Sequence, residues 1–180
     1  DIEVKSSFTK KPGTLITKKS NILNNKIVTG ISSTQNDSKV SLIGVKDKPG
    51  VASAIFKPLN DQNIIVDMIV QNISADSKKT DVTFTVKRDD MDKTKIMLDK
   101  LKKNIGFESL LTDNKVAKVS IVGAGMITHP GVAYKMFDAL SSKNINILVI
   151  STSEIRISVL ISDKNVELAV KTLHSAFELD

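Results

Sequence analysis

The sequence predicts an α+β fold of two tandem β-α-β-β-α-β modules, with helices on one face of antiparallel sheets, and two observations predict it. The first is an internal repeat, the signature to look for before any other. VSLIGVKDKPGVASAIFKPLNDQNIIVDMIVQNIS, residues 40–74, returns as VSIVGAGMITHPGVAYKMFDALSSKNINILVISTS, residues 119–153. Pro49-Gly50 matches Pro130-Gly131, Phe56 matches Phe137, Leu59 matches Leu140 and Asn63-Ile64 matches Asn144-Ile145, all 81 positions apart, whereas Val40-Ser41 and Val119-Ser120 lie 79 apart. The second copy thus carries two extra residues in its first strand-to-helix loop, where insertion is best tolerated. Two copies are fewer than the three or so of a solenoid and suit two small domains related by a pseudo-twofold axis. The second observation is the switching of hydrophobic period between 2 and 3.6 within each copy.

Val40–Val45 alternates β-formers, and KDKPG then makes a turn, because Pro49-Gly50 cannot continue a strand. Val51, Ala54, Ile55 and Leu59 fall at helical spacing up to Asp61, with Pro58 predicting a distorted last turn. Ile64–Ile73 is β-branched and dense in apolar residues, 74–79 is a hairpin connection, and Thr80–Val86 puts Val82, Phe84 and Val86 on one face. Thr94, Met97, Leu98, Leu101 and Ile105 mark an amphipathic helix, and Phe107–Thr112 a short closing strand. This is the ferredoxin-like split arrangement, placed at residues 40–112.

The second copy repeats strand, helix, strand, a further strand at Ile155–Ile161 and a helix with Val166, Ala169, Val170, Leu173 and Phe177 inward. No fourth strand follows it. Lys26–Ile31, apolar and β-rich, is the expected replacement, since pairing there removes an exposed edge. The second module is then 26–31 plus 116–180, with the first inserted in it and the polar stretch 17–25 as a linker.

The 180 residues carry a net charge of +6, which raises nucleic acid as a partner. The detail removes it: of 26 basic residues only Arg88 and Arg156 are arginines, Trp is absent, and Tyr134 is the single tyrosine. Lysine lacks the fork that reads bases, and one tyrosine is no stacking platform. Lys93, Lys95, Lys100, Lys102 and Lys103 read as the solvated face of a helix. A 41% hydrophobic composition without an apolar run of about 18 residues predicts no membrane span, and the opening segment has no apolar core of a signal peptide. With no Cys there is no disulfide framework or thiolate metal site, so a cytoplasmic location is expected.

Catalytic signatures are missing. Gly123-Ala124-Gly125 follows a strand, but Thr128 stands at the third glycine of a dinucleotide fingerprint and no acidic residue follows at the required distance. His129 and His174 lack partners at metal-ligand spacing, and there is no Walker loop or nucleophile elbow. The repeated loops are the candidate sites. In each a strand ends, polar residues arrive (Asp47; Thr128 and His129), Pro-Gly follows and a helix begins. A helix N-terminus offers free amides and positive partial charge to a carboxylate, and Gly50 or Gly131 allows close approach. Plain tight turns would look the same. The polar residues Asp67, Gln71 and Asn146 on otherwise apolar strands favour an amino acid, its ammonium on Asp47 or Asp67.

DKPGVA, IIVDMIVQNIS, TDVTFTV, VSIVGAGMITHPGVA and ISTSEIRISVLI, spread over residues 40–180, carry a resemblance to a known family. The sequence resembles the regulatory region of aspartate kinases, made of two ACT domains, and most of all the kind inhibited jointly by lysine and threonine. Residues 1–16 resemble the end of the kinase domain, with Lys5 where arginine is usual. The resemblance implies a threonine site at Asp47, Gly50, Val51, Ala52, Gln71, Asn146 and Ile147. It implies a lysine site at Asp67, Met68, Ser74, Thr83, His129, Val132, Ala133, Ser153 and Glu154, with Ala133 in place of the threonine of some relatives. It further implies feedback inhibition of aspartate phosphorylation, a homodimer through the ACT domains, and a kinase catalytic domain or α subunit as partner. No cofactor and no metal are expected in this chain, because ATP and Mg belong to the kinase domain, whose nucleotide motif is absent; isolated, the chain should not phosphorylate aspartate. A stand-alone regulatory β subunit and an unrelated tandem ACT amino-acid sensor are the alternatives.

Overall fold

The computed structural model describes residues 1–9, 12–16, 27–73, 79–127 and 129–179. The expected linker at 17–25, Lys26, and all of the 74–79 hairpin connection except Lys79 lie outside the described residues. A small antiparallel hairpin comes first, β1 (Ile2–Val4) with β2 (Thr14–Ile16), and Ile2, Val4, Phe8, Leu15 and Ile16 are exposed on it. Among the described residues the rest is one six-stranded antiparallel sheet with four α-helices: β3 (Gly30–Lys46), α1 (Val51–Asp61), β4 (Val66–Ile73), β5 (Lys79–Lys87), α2 (Met91–Ile105), β6 (Ser109–Val122), α3 (Val132–Ser141), β7 (Ile147–Ser153), β8 (Arg156–Ser162) and α4 (Val166–Ala176). The strand order is β4-β5-β3-β6-β8-β7.

Two strand predictions need correction. The strips at 26–31 and 40–45 are not separate, because a single strand of 17 residues begins at Gly30 and runs to Lys46. Likewise 107–112 and the strand opening at Val119 merge into one strand from Ser109 to Val122. The links 32–39 and 113–118 contain no Pro or Gly, and partner strands run alongside both, with register breaks between Thr34 and Lys39 and with the Lys115 amide donating to Asp113 Oδ1 at 2.8 Å.

β3 and β6 therefore belong to both halves of the sheet. Leu42, Val40 and Lys39 of β3 pair with Val82, Phe84 and Thr85 of β5, and Val40 also faces Thr112 of β6. At the other end Gly30–Thr34 pairs with Lys118–Val122, continued by Thr29 N–H donating to the Val122 carbonyl at 2.7 Å. Ser33 faces Val119, the repeat counterpart of Val40, while Val40 faces Thr112, the counterpart of Ser33. A pseudo-twofold axis consequently crosses the ribbon beside Asp37, which pairs with Lys87 on one side and Val116 on the other. Arg88 and Asp163, also repeat counterparts, meet across that axis at 3.6 Å.

Each half has its own core on the helical side. Val40, Leu42, Ile55, Leu59, Phe84 and Leu98 fill the first, where Phe56 meets Phe84 edge-on with ring centroids 5.3 Å apart. Val119, Ile121, Met136, Leu140, Val159 and Leu173 fill the second. The α1 helix continues past Pro58 to Asp61. The donor lost at Pro58 would have served the carbonyl of Ala54, which is exposed and can use water instead. On the helix-free side Met68, Val116, Val149 and Leu160 form a third, smaller cluster that joins the halves.

Gly123 shows how tightly the early segment is applied. A Cβ there would lie 2.1 Å from the Ile27 carbonyl oxygen and 2.7 Å from Val28 Cα, whereas one on Gly30 would meet nothing within 4 Å. Both offending atoms are backbone. Gly123→Ala should therefore cost about 1–3 kcal/mol through overpacking, and Gly30→Ala should stay within about 0.5 kcal/mol of wild type. Urea unfolding of the two variants checks this, and equal stability would mean that 27–28 does not pack on Gly123.

Candidate functional site

The first Pro-Gly loop ends in Gly50, whose φ of 89° is left-handed and suited to glycine. Val51 N–H donates to the Lys48 carbonyl at 3.2 Å and Ala54 N–H to that of Gly50 at 2.9 Å, which leaves the first-turn amides of Ala52 and Ser53 without an intrahelical acceptor. No side chain caps α1, and its first turn holds no acidic residue. The loop borders an open cavity of about 360 Å³ lined by Asp47, Lys48, Pro49, Gly50, Val51, Ala52 and, from β4, Gln71. Above Gly50 is open space, since a Cβ there would touch nothing within 4 Å. The second copy repeats the device: Gly131 has φ 91°, Lys135 N–H donates to its carbonyl at 2.9 Å, and no side chain caps α3.

A second cavity, about 300 Å³, lies at the seam between the halves, lined by Asp67, Met68, Ser151, Thr152, Ser153, Ile155, Arg156 and Ser158. It is shaped by a break in the β4–β5 register between Asp67 and Val70. Met68, buried at 4% exposure, sits there at φ 48°, a conformation non-glycine residues rarely take. Local bonds hold it: Asp67 Oδ1 accepts from the Met68 amide at 2.8 Å, and Thr85 Oγ1 donates to the Asp67 carbonyl at 3.1 Å. Asp67 Oδ2 meets Lys118 Nζ of β6 at 2.5 Å. The Lys118 hydrogen bond is the main cause holding the Asp67 carboxyl below its ordinary value; burial opposes it, while the Met68 amide and the charges of Lys118 and Arg156 add to it.

Two hydroxyl pairs line the helix-free faces at equivalent places, Ser41 with Thr83 at 2.9 Å and Ser120 with Ser158 at 2.8 Å. Among the described residues no group of three or more His, Asp or Glu could hold a metal ion, and no helix is long and apolar enough to cross a membrane.

Comparison with known proteins matches this architecture. A family model for the ACT domain fits residues 40–100 and 119–177. The regulatory subunit of aspartate kinase from Thermus thermophilus, solved ligand-free, is 39% identical and superposes with a TM-score of 0.78 over 84% of this chain and 99% of its own. The chain belongs to the ACT-domain regulatory regions of aspartate kinases. A crystal structure of aspartokinase alpha and beta subunits is also similar, with 48% identity and a TM-score of 0.79 over 84% of this chain and 99% of that one. The aspartate kinase of Pseudomonas fluorescens is 49% identical over 180 residues. This chain spans 43% of that relative's length.

Within the regulatory region, Asp47, Gly50, Val51, Ala52 and Gln71 gather around one cavity. Asn146 and Ile147 are not with them: they line a separate cleft with Phe137, Ser141, Asn144 and Ile145. Asp67, Met68 and Ser153 share the seam cavity. Thr83 does not line it and is engaged with Ser41. Glu154 is exposed on the β7–β8 turn. His129 Nδ1 contacts the Gly125 carbonyl at 2.8 Å, Val132 is in the second core, and Ala133 packs against it. Ser74 lies outside the described residues. Sequence reasoning missed Lys118 and Arg156. Only the scarcity of arginine marked Arg156, and nothing local ties Lys118 to a residue 51 positions away.

The lowered Asp67 value has a definite sign. A carboxyl whose folded value lies below its unfolded one stabilises the fold above the unfolded value and loses that contribution as pH falls through the folded one. Followed by carboxyl-carbon NMR, Asp67 should titrate below the usual 3.8 and move up toward it in Lys118→Met. A midpoint unaffected by the substitution would show that the pair does not form in solution.

Proposed function

We propose that this regulatory region binds threonine and lysine and through them restrains a kinase part that phosphorylates aspartate. The observation that carries the reading is the loop from Asp47 to Ala52, where free helix amides, a glycine with open space above it and the Gln71 amide converge on one small cavity. A threonine carboxylate suits the amides of Ala52 and Ser53, its ammonium suits Asp47, and its hydroxyl suits Gln71. Lysine suits Asp67, an anionic group at the seam, with Ser153 beside it. The resemblance adds Ser74, Thr83, Glu154 and the loop of His129, Val132 and Ala133 to the lysine site, and Asn146 with Ile147 to the threonine site. Asn146 and Ile147 lie away from the Asp47 loop within one chain, and a homodimer through the ACT sheets could supply them from the second copy.

The domain reading is that the first ACT domain is inserted in the second, with the strand that begins at Gly30 serving as the second domain's fourth strand. The pairing of Gly30–Thr34 with Lys118–Val122 supports it. A ligand favouring one packing of two such domains shifts the equilibrium of whatever is attached to them. The attached part would be a cytoplasmic kinase domain or a separate α subunit, holding ATP and Mg, and the solved alpha and beta subunits of aspartokinase support such an association. The apolar residues exposed on the β1–β2 hairpin suit the edge of that catalytic part. A stand-alone β subunit is the second reading, favoured by the 99% coverage of the Thermus thermophilus regulatory subunit.

Each effector at a hundredfold excess over its dissociation constant should add about 2.7 kcal/mol to stability. Gln71→Ala and Ala52→Val should weaken threonine about tenfold, and Asp67→Ala and Glu154→Ala should weaken lysine by a similar factor, each being a loss of about 1.4 kcal/mol. Calorimetry on the four variants separates the sites. Were Asp67→Ala to abolish threonine binding and spare lysine, the assignment would be reversed; were no variant to matter, the Pro-Gly loops would be plain turns.

A further inference from the structure

The carboxylate that lines the seam cavity already holds a cation. Lys118 Nζ sits on Asp67 Oδ2 at 2.5 Å, and its side chain is only 17% exposed while that of Asp67 is 59% exposed. The carboxylate lines the cavity and is held by a side chain of β6, at the end of that strand which pairs with β8. Its second oxygen is engaged by the Met68 amide. A ligand ammonium arriving at Asp67 finds its place on the carboxylate taken by another ammonium, and two like charges sharing one acceptor repel. The repeat shows that the arrangement exists once: the counterpart of Lys118 is Lys39, but the counterpart of Asp67 is Leu148.

We infer that Lys118 is a built-in competitor for the cationic group of the effector at Asp67, so that binding there proceeds by displacing Lys118 and Lys118 sets the affinity of that site alone. This rests on the reading of Asp67 as a lysine-binding residue. A flexible four-carbon stem allows the displaced ammonium to swing toward water, and its departure releases the bond between β4 and β6. Occupancy of the site is thereby coupled to the junction of the two halves.

The test is calorimetric titration of the full chain with L-lysine and, separately, L-threonine. Lys118→Met should raise lysine affinity about three- to tenfold, the range expected for a partly exposed ion pair removed from competition. Lys118→Gln should act in the same direction and serves if the Met variant is unstable. Lys118→Arg keeps the charge and should keep wild-type affinity, and Asp67→Asn added to Lys118→Met should erase the gain. Threonine affinity should not move in the Lys118 variants. Wild type binding lysine while both uncharged variants bind it equally or more weakly would overturn the inference and leave the effector reading standing. A parallel gain for threonine would also overturn it, as a general loosening of the seam. Absence of lysine binding in every variant would overturn the effector reading, and the inference with it.

Discussion

Everything in this sheet depends on the antiparallel pairing of β3 with β6. Each is long enough to run through both halves, so one ribbon supplies inner strands to two four-stranded units. Because the pairing is antiparallel and the two strands are themselves repeat counterparts, the ribbon carries the pseudo-twofold axis in its own register. The two cores then lie at opposite ends of the ribbon, and the edge strands β4 and β7 approach each other on its helix-free side, where Met68 meets its counterpart Val149. A slip of one residue along this ribbon would turn the apolar faces of both halves outward together.

Symmetry also makes the departures from it informative. Where the halves agree, residues do structural work: the two hydroxyl pairs, the left-handed glycines before α1 and α3, and the matched buried positions Leu98 and Leu173. At two of the places where they disagree, charge is involved. Asp67 stands against Leu148, and Arg156 against Asp81, whose carboxylate accepts the Gly44 amide at 2.8 Å. One half also keeps two buried hydroxyls, Ser38 and Thr94, without a hydrogen-bond partner, at places where the other half has Ala117 and Ala169. Divergence has gone into the seam cavity, making it polar on one side of the axis.

The repeat, the four helices and the two Pro-Gly loops were legible because their signals are local: spacing of apolar residues, a turn dipeptide, a matched segment. Strand limits were less so. The strips 26–31 and 40–45 read as two strands, yet one strand runs from Gly30 to Lys46, its pairing with β5 and β6 being with neighbours distant in sequence. The positive φ of Met68 was invisible, since nothing in the residue type asks for it. Asp67 was recognised as a carboxylate suited to an ammonium, but not as one already holding Lys118, because that contact exists only once both halves are folded. Asn146 and Ile147, grouped with the Asp47 loop by resemblance, line a different cleft of the single chain.

The bond from Thr29 to Val122 spans 93 residues. On a ribosome adding roughly 5–20 residues per second, the early end of β3 would wait about 5–20 s for its partner strand. Late in that interval, once Ile105 and Phe107 are made, the first core can close around the later half of the same strand, while Gly30–Thr34 still lacks its partner strand. The order of synthesis therefore gives the chain one period when this edge is bare. Its residues in that stretch, Ser32, Ser33 and Thr34, are polar, a composition that keeps a temporarily uncovered strand from sticking to its neighbours.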